Sequence, residues 1–238
     1  MKIIVFLIFL FVYFDSELSY ASPALKTHSA EYEVKISFIS GALNTELKKD
    51  GESFIARHII EPTELSRAFS RGMLDVTSKF QIVSGKVRPV YFKAIDTIRN
   101  KPNINLNFNW EDFIVNGSIG KELVKLEFKD IIHDNVSIQY ELMNDLLSGT
   151  IKKQYKLFDI DKLKILNITQ IKERQIKTIA GDFKTIGIQH QKEGSSQITT
   201  LWCAEELDYL PVLIEQHRKG KLRFRASLSK YTPNSEKY

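Results

Sequence analysis

The sequence predicts a mainly β protein, built as a single antiparallel β-barrel or strongly curved half-barrel with one central helix. Along many short segments apolar and polar side chains alternate, as they do when one face of an antiparallel sheet is buried and the other meets water. Turn-forming pairs such as Asp50-Gly51 and Lys219-Gly220 separate these segments. Because a curled sheet hides its edges, ten or more such strands favour a barrel-like fold.

The predicted strands follow one another along nearly the whole chain. In the first, residues 31–38, the side chains of Tyr32, Val34 and Ile36 alternate with charged ones. After it, Ser84-Gly85 is a turn between two further strands. The other segments with strand patterning are residues 74–82, 86–94, 103–110, 124–128, 183–190, 197–203, 211–218 and 222–228.

The segment N-I-N-L-N-F-N-W, residues 103–110, combines strand alternation with a residue type that strands usually avoid. Its apolar members are Ile104, Leu106, Phe108 and Trp110, which we expect on the core side of the sheet. A row of four amides is then expected on the other face: Asn103, Asn105, Asn107 and Asn109.

Two segments interrupt the strand pattern. Residues 61–69 predict one or two helical turns that begin at Thr63 as the N-cap. Residues 136–158 predict the main helix, capped by Ser137, which packs on the sheet or plugs one end of the barrel. Gly149 costs about 1 kcal/mol there relative to alanine, so a break at this point is open. The apolar stripe of this helix is Leu142, Leu146, Ile151 and Tyr155.

The N-terminus has the pattern of a signal peptide. After one lysine, residues 3–14 form an unbroken apolar run that is too short to cross a bilayer as a helix. Small residues before the expected cut predict cleavage after Ala21. We therefore expect a signal peptide over residues 1–21 and a single β-rich domain over residues 22–238. An uncleaved N-terminal anchor is the alternative.

Cysteine content and charge indicate the compartment and limit the partners. Cys203 is the only cysteine, so no intramolecular disulfide can form, which is usual for a bacterial periplasmic protein. We therefore expect an exported protein of a Gram-negative periplasm. The formal net charge of +5 falls short of the clustered Lys and Arg of a nucleic-acid interface. No second apolar run reaches membrane length, so we expect that the mature form is not an integral membrane protein.

The sequence contains no pattern for catalysis or for a cofactor. None of the histidines has the spacing of a zinc site, and no nucleophile elbow, phosphate loop or dinucleotide fingerprint occurs. Adjacent His133 and Asp134 could act as a base and its orienting group, but neighbours on a strand point to opposite faces. We interpret Cys203 as a structural thiol. We predict no catalytic residue, no metal and no cofactor. The histidines are His28, His58, His133, His190 and His217.

The last predicted strand carries a row of positive charges. Lys221, Arg223 and Arg225 alternate with apolar residues and are our candidate ligand-binding residues, because such a row could hold a phosphate or carboxylate headgroup. The alternative is a charged strand surface that discourages aggregation.

Several short motifs follow one another along the chain: S-G-K-V-R-P-V-Y-F (84–92), N-W (109–110), N-D-L-L-S (144–148), I-A-G-D-F-K-T-I (179–186), L-W-C-A-E-E-L-D-Y-L-P-V-L-I-E (201–215) and K-G-K-L-R-F-R-A-S-L (219–228). Taken in this order, they resemble the exported bacterial family catalogued as domain of unknown function 3108. The resemblance spans roughly residues 31–231 and implies a signal-bearing, mostly antiparallel periplasmic β protein with a helix in its middle. It implies no catalytic residues, because the family has no established activity. Asn109 stands before Trp110 where the family often has an aspartate.

Two functions of different classes remain open on the sequence. The first is a non-enzymatic periplasmic binding protein whose curved sheet encloses a lipid or other hydrophobic ligand with an acidic headgroup. Periplasmic lipoprotein carriers use a comparable half-barrel, which is an analogy of fold alone. The second is a structural or adaptor protein of the cell envelope that binds a protein or glycan through its asparagine row. An enzyme with a dispersed site is a third alternative.

Overall fold

The computed structural model describes residues 25–36, 39–68, 71–159 and 162–234. The predicted signal peptide, residues 1–21, lies outside the described residues, as do Phe38 and Phe69 at the ends of two predicted elements. Within the described residues, no helix is both long and apolar enough to cross a membrane.

The described residues form one large sheet, one α-helix and two short 3-10 turns, Leu65–Ala68 and Glu205–Leu207. The helix, α1, is Ser137–Leu147. The strands are β1 (His28–Ile36), β2 (Ile39–Asp50), β3 (Ser53–Pro62), β4 (Leu74–Val83), β5 (Lys86–Asp96), β6 (Ile104–Asn109), β7 (Ile114–Ile119), β8 (Glu122–Glu127), β9 (Ile132–His133), β10 (Gln154–Asp159), β11 (Lys162–Thr178), β12 (Gly181–Lys192), β13 (Gln197–Ala204), β14 (Leu210–Arg218) and β15 (Lys221–Pro233).

The sheet consists of two meanders joined at its centre. β1 to β8 follow one another in chain order across one half, and β9 to β15 do so across the other. The first strand, β1, pairs with the last strand, β15, in antiparallel register from His28–Pro233 to Ile36–Phe224. All neighbouring strands are antiparallel except β9 and β10, which are parallel. Among the described residues β8 and β9 are the ends of the sheet and do not pair, so the sheet is not closed into a barrel.

The sheet is strongly curved, because its two ends approach each other around the core. The rings of Phe108 on β6 and Phe158 on β10 pack edge to face with centroids 6.3 Å apart. Ten strands separate β6 from β10 in the order of the sheet. The predicted mainly β class, with antiparallel strands curled around one central helix, is therefore confirmed. Of the two predicted architectures, the structure has the open one.

The asparagine segment forms β6 with the predicted orientation. Leu106 and Phe108 are almost fully buried, at 1% and 4% exposure, whereas Asn107 is exposed. Trp110, just past the strand, packs against the core and donates its indole N–H to the carbonyl oxygen of Pro89 at 2.6 Å.

The main helix is shorter than the predicted segment 136–158. Gly149 takes a left-handed conformation with φ +65°, and the backbone N–H groups of Ser148 and Gly149 bond to the carbonyls of Asn144 and Leu146. This closing pattern ends an α-helix and favours glycine. The predicted stripe was therefore wrong at Ile151 and Tyr155, since the first lies beyond the helix and the second is in β10.

Candidate functional site

Helix α1 lies on the concave side of the sheet, between its two halves. Nine of its residues are buried, so it is enclosed on nearly all sides. One apolar stripe, with Tyr140, Met143 and Leu147, packs in the larger core cluster, which includes residues of β1 to β7 and of β9 to β15. A second stripe packs on β10 to β13 and consists of Ile138, Leu142 and Leu146. The helix therefore fills the space that a closed barrel would leave as its lumen.

The helix begins at a reciprocal cap built from buried side chains. Asp134 Oδ1 accepts the backbone N–H groups of Val136 and Ser137, each at 2.8 Å, and Ser137 Oγ accepts the N–H of Asp134 at 2.9 Å. This is the logic of a capping box. Asp134 Oδ2 also accepts the hydroxyl of Ser78 on β4 at 2.7 Å. The cap therefore fixes the helix start to the opposite half of the sheet.

The third face of the helix is polar and meets the turn between β4 and β5. We call these contacts the polar seam. Glu141 Oε2 accepts the backbone N–H of Val87 at 2.8 Å, and Asn144 donates its amide to the carbonyl of Gly85 at 3.0 Å. Lys86 Nζ lies 2.5 Å from Asp145 Oδ1 and 3.8 Å from Glu141 Oε1. Side-chain contacts rather than strand pairing thus join the helix to the N-terminal half.

Asp145 also connects the seam to the C-terminal half. Its Oδ2 accepts the hydroxyl of Tyr155 on β10 at 2.7 Å, and its Oδ1 accepts that of Thr150 at 3.0 Å. The Tyr155 oxygen in turn accepts the backbone N–H of Lys152 at 3.0 Å. Because both oxygens of this carboxylate accept hydrogen bonds, Asp145 is satisfied despite having no exposed side-chain surface.

Burial changes the protonation of several groups here. Burial raises the pKa of Glu141 to about 7, although the N–H of Val87 and the charge of Lys86 lower it in part. Glu141 Oε1 has no hydrogen-bond partner among the described residues. Burial lowers the pKa of Lys86, but the bond to Asp145 and the charges of both carboxylates outweigh this and raise it overall. Burial also raises the pKa of Asp134.

A cleft of about 390 Å³ opens beside this cluster, at the junction of β9 and β10. Its lining includes His133, Lys152, Tyr155 and Lys156. Lys152 Nζ lies 5.8 Å from the centre of the Tyr155 ring, and Lys156 is paired with Asp130 at the rim. The cleft is thus a cationic opening that touches the helix through the Tyr155–Asp145 bond.

All five histidines are buried or half-buried. His133 is buried, and burial lowers its pKa to about 3, so its ring is neutral at pH 7. Asp134 binds the helix start rather than orienting His133. His28 and His58 do come together, each within 6.5 Å of the Tyr140 ring, and His58 Nε2 lies 3.3 Å from Tyr140 Oη. Among the described residues, no three His, Cys, Asp or Glu side chains could jointly hold a metal ion.

The candidate residues Lys221, Arg223 and Arg225 lie exposed on β15. Arg225 lies between Phe224 and Ala226, which pack in the core, so its side chain points to the outer face, away from helix α1. The pairing of β15 with β14 shifts in register between Phe224 and Leu222, so this alternation does not extend to Lys221 and Arg223. Lys35 on β1 is opposite Arg225, whose Nε lies 3.9 Å from Glu215 Oε1 on β14. The structure therefore keeps this row apart from the buried cluster.

The cluster at the helix escaped prediction because its members are far apart in the chain. A signal was nevertheless present, since two of the motifs behind the family resemblance meet at the polar seam: S-G-K-V-R-P-V-Y-F supplies Lys86 and Val87, and N-D-L-L-S supplies Asn144 and Asp145. The motif of residues 201–215 contacts the core at a different place. There, the hydroxyl of Tyr32 on β1 donates to the carbonyl oxygen of Pro211, which belongs to this motif, at 2.9 Å. These motifs build the fold around the helix.

Comparison with known proteins agrees with this architecture. The sequence model of a family described as "Protein of unknown function (DUF3108)" matches residues 31–224. The chain belongs to the DUF3108 family. This confirms the resemblance and assigns no activity. Comparison with curated proteins gives no match.

The fold of this DUF3108 protein is similar to that of a solved structure from Brucella abortus. That structure is described as a beta-barrel-like protein of domain of unknown function DUF1849. The two superpose with a TM-score of 0.60 at 13% sequence identity, and the match covers 90% of this chain and 100% of the other. At this identity the likeness concerns the fold alone.

Proposed function

We propose that this DUF3108 protein is a non-enzymatic binding protein of the Gram-negative periplasm that takes up a hydrophobic ligand, such as a lipid or acyl chain with an acidic headgroup. The observation that carries the proposal is the position of helix α1, which occupies the concave side between two separate apolar clusters. A ligand that displaced the helix would meet both clusters. Export rests on the predicted signal peptide, residues 1–21.

The way in which the helix is attached supports such an exchange. No strand pairing joins β8 to β9 in the described part of the chain, so the sheet can open there without loss of ladder hydrogen bonds. The contacts that hold the helix to β4 and β5 include several polar side-chain bonds, among them those of Glu141, Asn144 and Asp145. Water can replace such bonds far better than it can replace apolar packing. The released apolar surface would then be covered by the ligand.

The cleft at β9 and β10 is the better place for an acidic headgroup. Lys152 lines it next to the helix, whereas Arg223 and Arg225 lie exposed on β15, outside the cleft. A carboxylate or phosphate at Lys152 would leave the acyl chain directed toward the space under helix α1. The outer row Lys221, Arg223 and Arg225 remains the competing headgroup site.

The test is titration of the delipidated protein with a fluorescent fatty acid, cis-parinaric acid. We expect saturable binding of one ligand per chain. Lys86→Met, which weakens the polar seam, should bind faster because the helix leaves more readily. Lys79→Met is the matched control, since Lys79 pairs with Asp50 on the surface, away from the seam. Absence of saturable uptake by the delipidated wild type would overturn the proposal.

A second comparison locates the headgroup. Lys152→Ala should lower the affinity for the fatty acid and leave that for a neutral monoacylglycerol unchanged, because only the charged ligand uses the lysine. Arg223→Ala should change neither affinity. The reverse result would place the headgroup on the outer strand and reject the cleft.

A further inference from the structure

The outer face of the sheet carries a groove of about 550 Å³ on β6, β7 and β8. It lies on the other side of the sheet from helix α1, since its residues alternate along the strands with core residues such as Leu106 and Phe108. It is therefore independent of the binding proposed above. Its lining includes Asn105, Asn107, Asn116, Ser118, Leu123 and Lys125.

Strand register brings these side chains together. In one row Tyr91 on β5 lies opposite Asn107, which lies opposite Asn116, which lies opposite Lys125. The next row continues from Asn105 through Ser118 to Leu123. Partners that face each other across antiparallel strands project from the same face of the sheet. Amides from three positions thus converge on one surface.

A glycine gives this surface its shape. Gly117 has φ +153°, and a Cβ built on it would lie 2.0 Å from the carbonyl oxygen of Asn105. No L-residue fits so close to a neighbouring backbone. Gly117 therefore permits the local distortion of β7 against β6 beneath the groove.

The groove offers hydrogen bonds with little charge. A carboxamide has two donors and an acceptor, and Asn107 and Asn116 present such groups in the lining of the groove. Asn105 Oδ1 accepts the Tyr91 hydroxyl at 3.2 Å, which leaves its amide nitrogen free to donate. Lys125 is the one charged side chain in the described lining. Leu123 adds an apolar surface and is 90% exposed.

We propose that this groove binds a neutral oligosaccharide. Sugars present hydroxyl groups that both donate and accept hydrogen bonds, and they present C–H surfaces that pack on apolar or aromatic side chains. Paired amides match the first property. Leu123 in the lining matches the second, and the Tyr91 ring lies beside the groove, opposite Asn107. Most of this lining is uncharged, with Lys125 in it and Lys93 opposite Asn105 at its edge, so a neutral glycan fits the lining better than an anionic one.

Titration calorimetry of the purified protein with chitotetraose and with maltotetraose tests the proposal. We expect at least one of these neutral tetrasaccharides to bind. The double variant Asn107→Ala/Asn116→Ala should weaken that binding at least ~tenfold, because two amides lose their hydrogen bonds to the sugar. Asn44→Ala is the matched control, as Asn44 is an exposed asparagine on β2 outside the groove, and it should bind like the wild type.

A second variant distinguishes weaker sugar binding from a loss of folding. Leu123→Ala removes a side chain that is 90% exposed, so it should melt like the wild type and still bind the sugar more weakly. Two results would overturn the proposal: neither tetrasaccharide binds the wild type at millimolar concentration, or the double variant binds as tightly as the wild type. Binding of an envelope protein by this face in the absence of sugar binding would also reject it.

Discussion

Lys86 Nζ lies 2.5 Å from Asp145 Oδ1, and this ion pair joins the turn between β4 and β5 to the helix that occupies the concave side of the sheet. The carboxylates of Asp145 and Glu141 have no exposed side-chain surface, whereas Lys86 is 25% exposed. One lysine therefore balances two buried acids at the edge of the core. We therefore expect this arrangement to contribute to the stability of the folded protein.

Replacing Lys86 by Met should destabilise the protein by about 3 kcal/mol, because it leaves buried carboxylates without their cation. Urea denaturation of the two proteins at pH 7 measures this difference. The exposed pair Lys79–Asp50 is the reference, and Lys79→Met should cost less than about 1 kcal/mol. Equal effects of the two substitutions would show that the seam contributes no more than a surface pair.

Glu141 should make the protein less stable as the pH rises from about 4.5 to about 7. Its pKa is about 7 in the folded protein against an ordinary value of 4.5, so the unfolded carboxyl releases its proton first. The free energy of unfolding should therefore fall by about 3 kcal/mol across this range.

In Glu141→Gln this part of the pH dependence should disappear, because the amide does not ionise. Urea denaturation at several pH values compares the two proteins, with Glu52→Gln in the exposed turn after β2 as the control. If the wild type and Glu141→Gln kept the same pH profile, the raised pKa of Glu141 would be refuted.

Gly117→Ala should cost more than an ordinary glycine replacement. The new methyl group would overlap the Asn105 carbonyl oxygen at 2.0 Å, so we expect a loss of about 3 kcal/mol or more in thermal or urea unfolding. Gly51 also has a positive φ but open space around it, so Gly51→Ala should cost about 1–2 kcal/mol. A smaller loss at Gly117 than at Gly51 would contradict the close approach of β6 and β7.

Cys203 should not react with Ellman's reagent in the folded protein. The thiol is 2% exposed, and burial raises its pKa to about 12, so almost no thiolate is present at pH 8. One thiol per chain should react after unfolding in guanidinium chloride. Rapid reaction of the native protein would mean that β13 opens readily.

Local patterning predicted much of the fold. The alternation in residues 103–110 predicted both the strand β6 and its orientation, because the buried and exposed faces of a strand differ by one position. The turn at Asp50-Gly51 was likewise readable, and the structure closes β2 and β3 there. Helix α1 was placed in the right region, but the prediction allowed a break at Gly149 without choosing it.

Long-range relationships were not readable from the sequence. Lys86 and Asp145 carry no mutual signal, since no spacing rule links a strand to a helix so far along the chain. β11 was missed because its many polar residues obscure the alternation, and its register shifts between Ile171 and Arg174. Alternation predicted one shared face for Lys221, Arg223 and Arg225, but it could not show the shift in register between Phe224 and Leu222. Only the structure shows which side of the sheet holds the helix.

The pairing of β1 with β15 has a consequence for how the molecule is made. β1 pairs with β15, the last strand in the chain. The ribosome must therefore finish nearly the whole polypeptide before these two strands can pair and join the two meanders. Contacts between such distant parts of a chain form slowly. A newly made copy therefore stays incompletely folded for as long as it is being synthesised, which is the state that the export we propose would require.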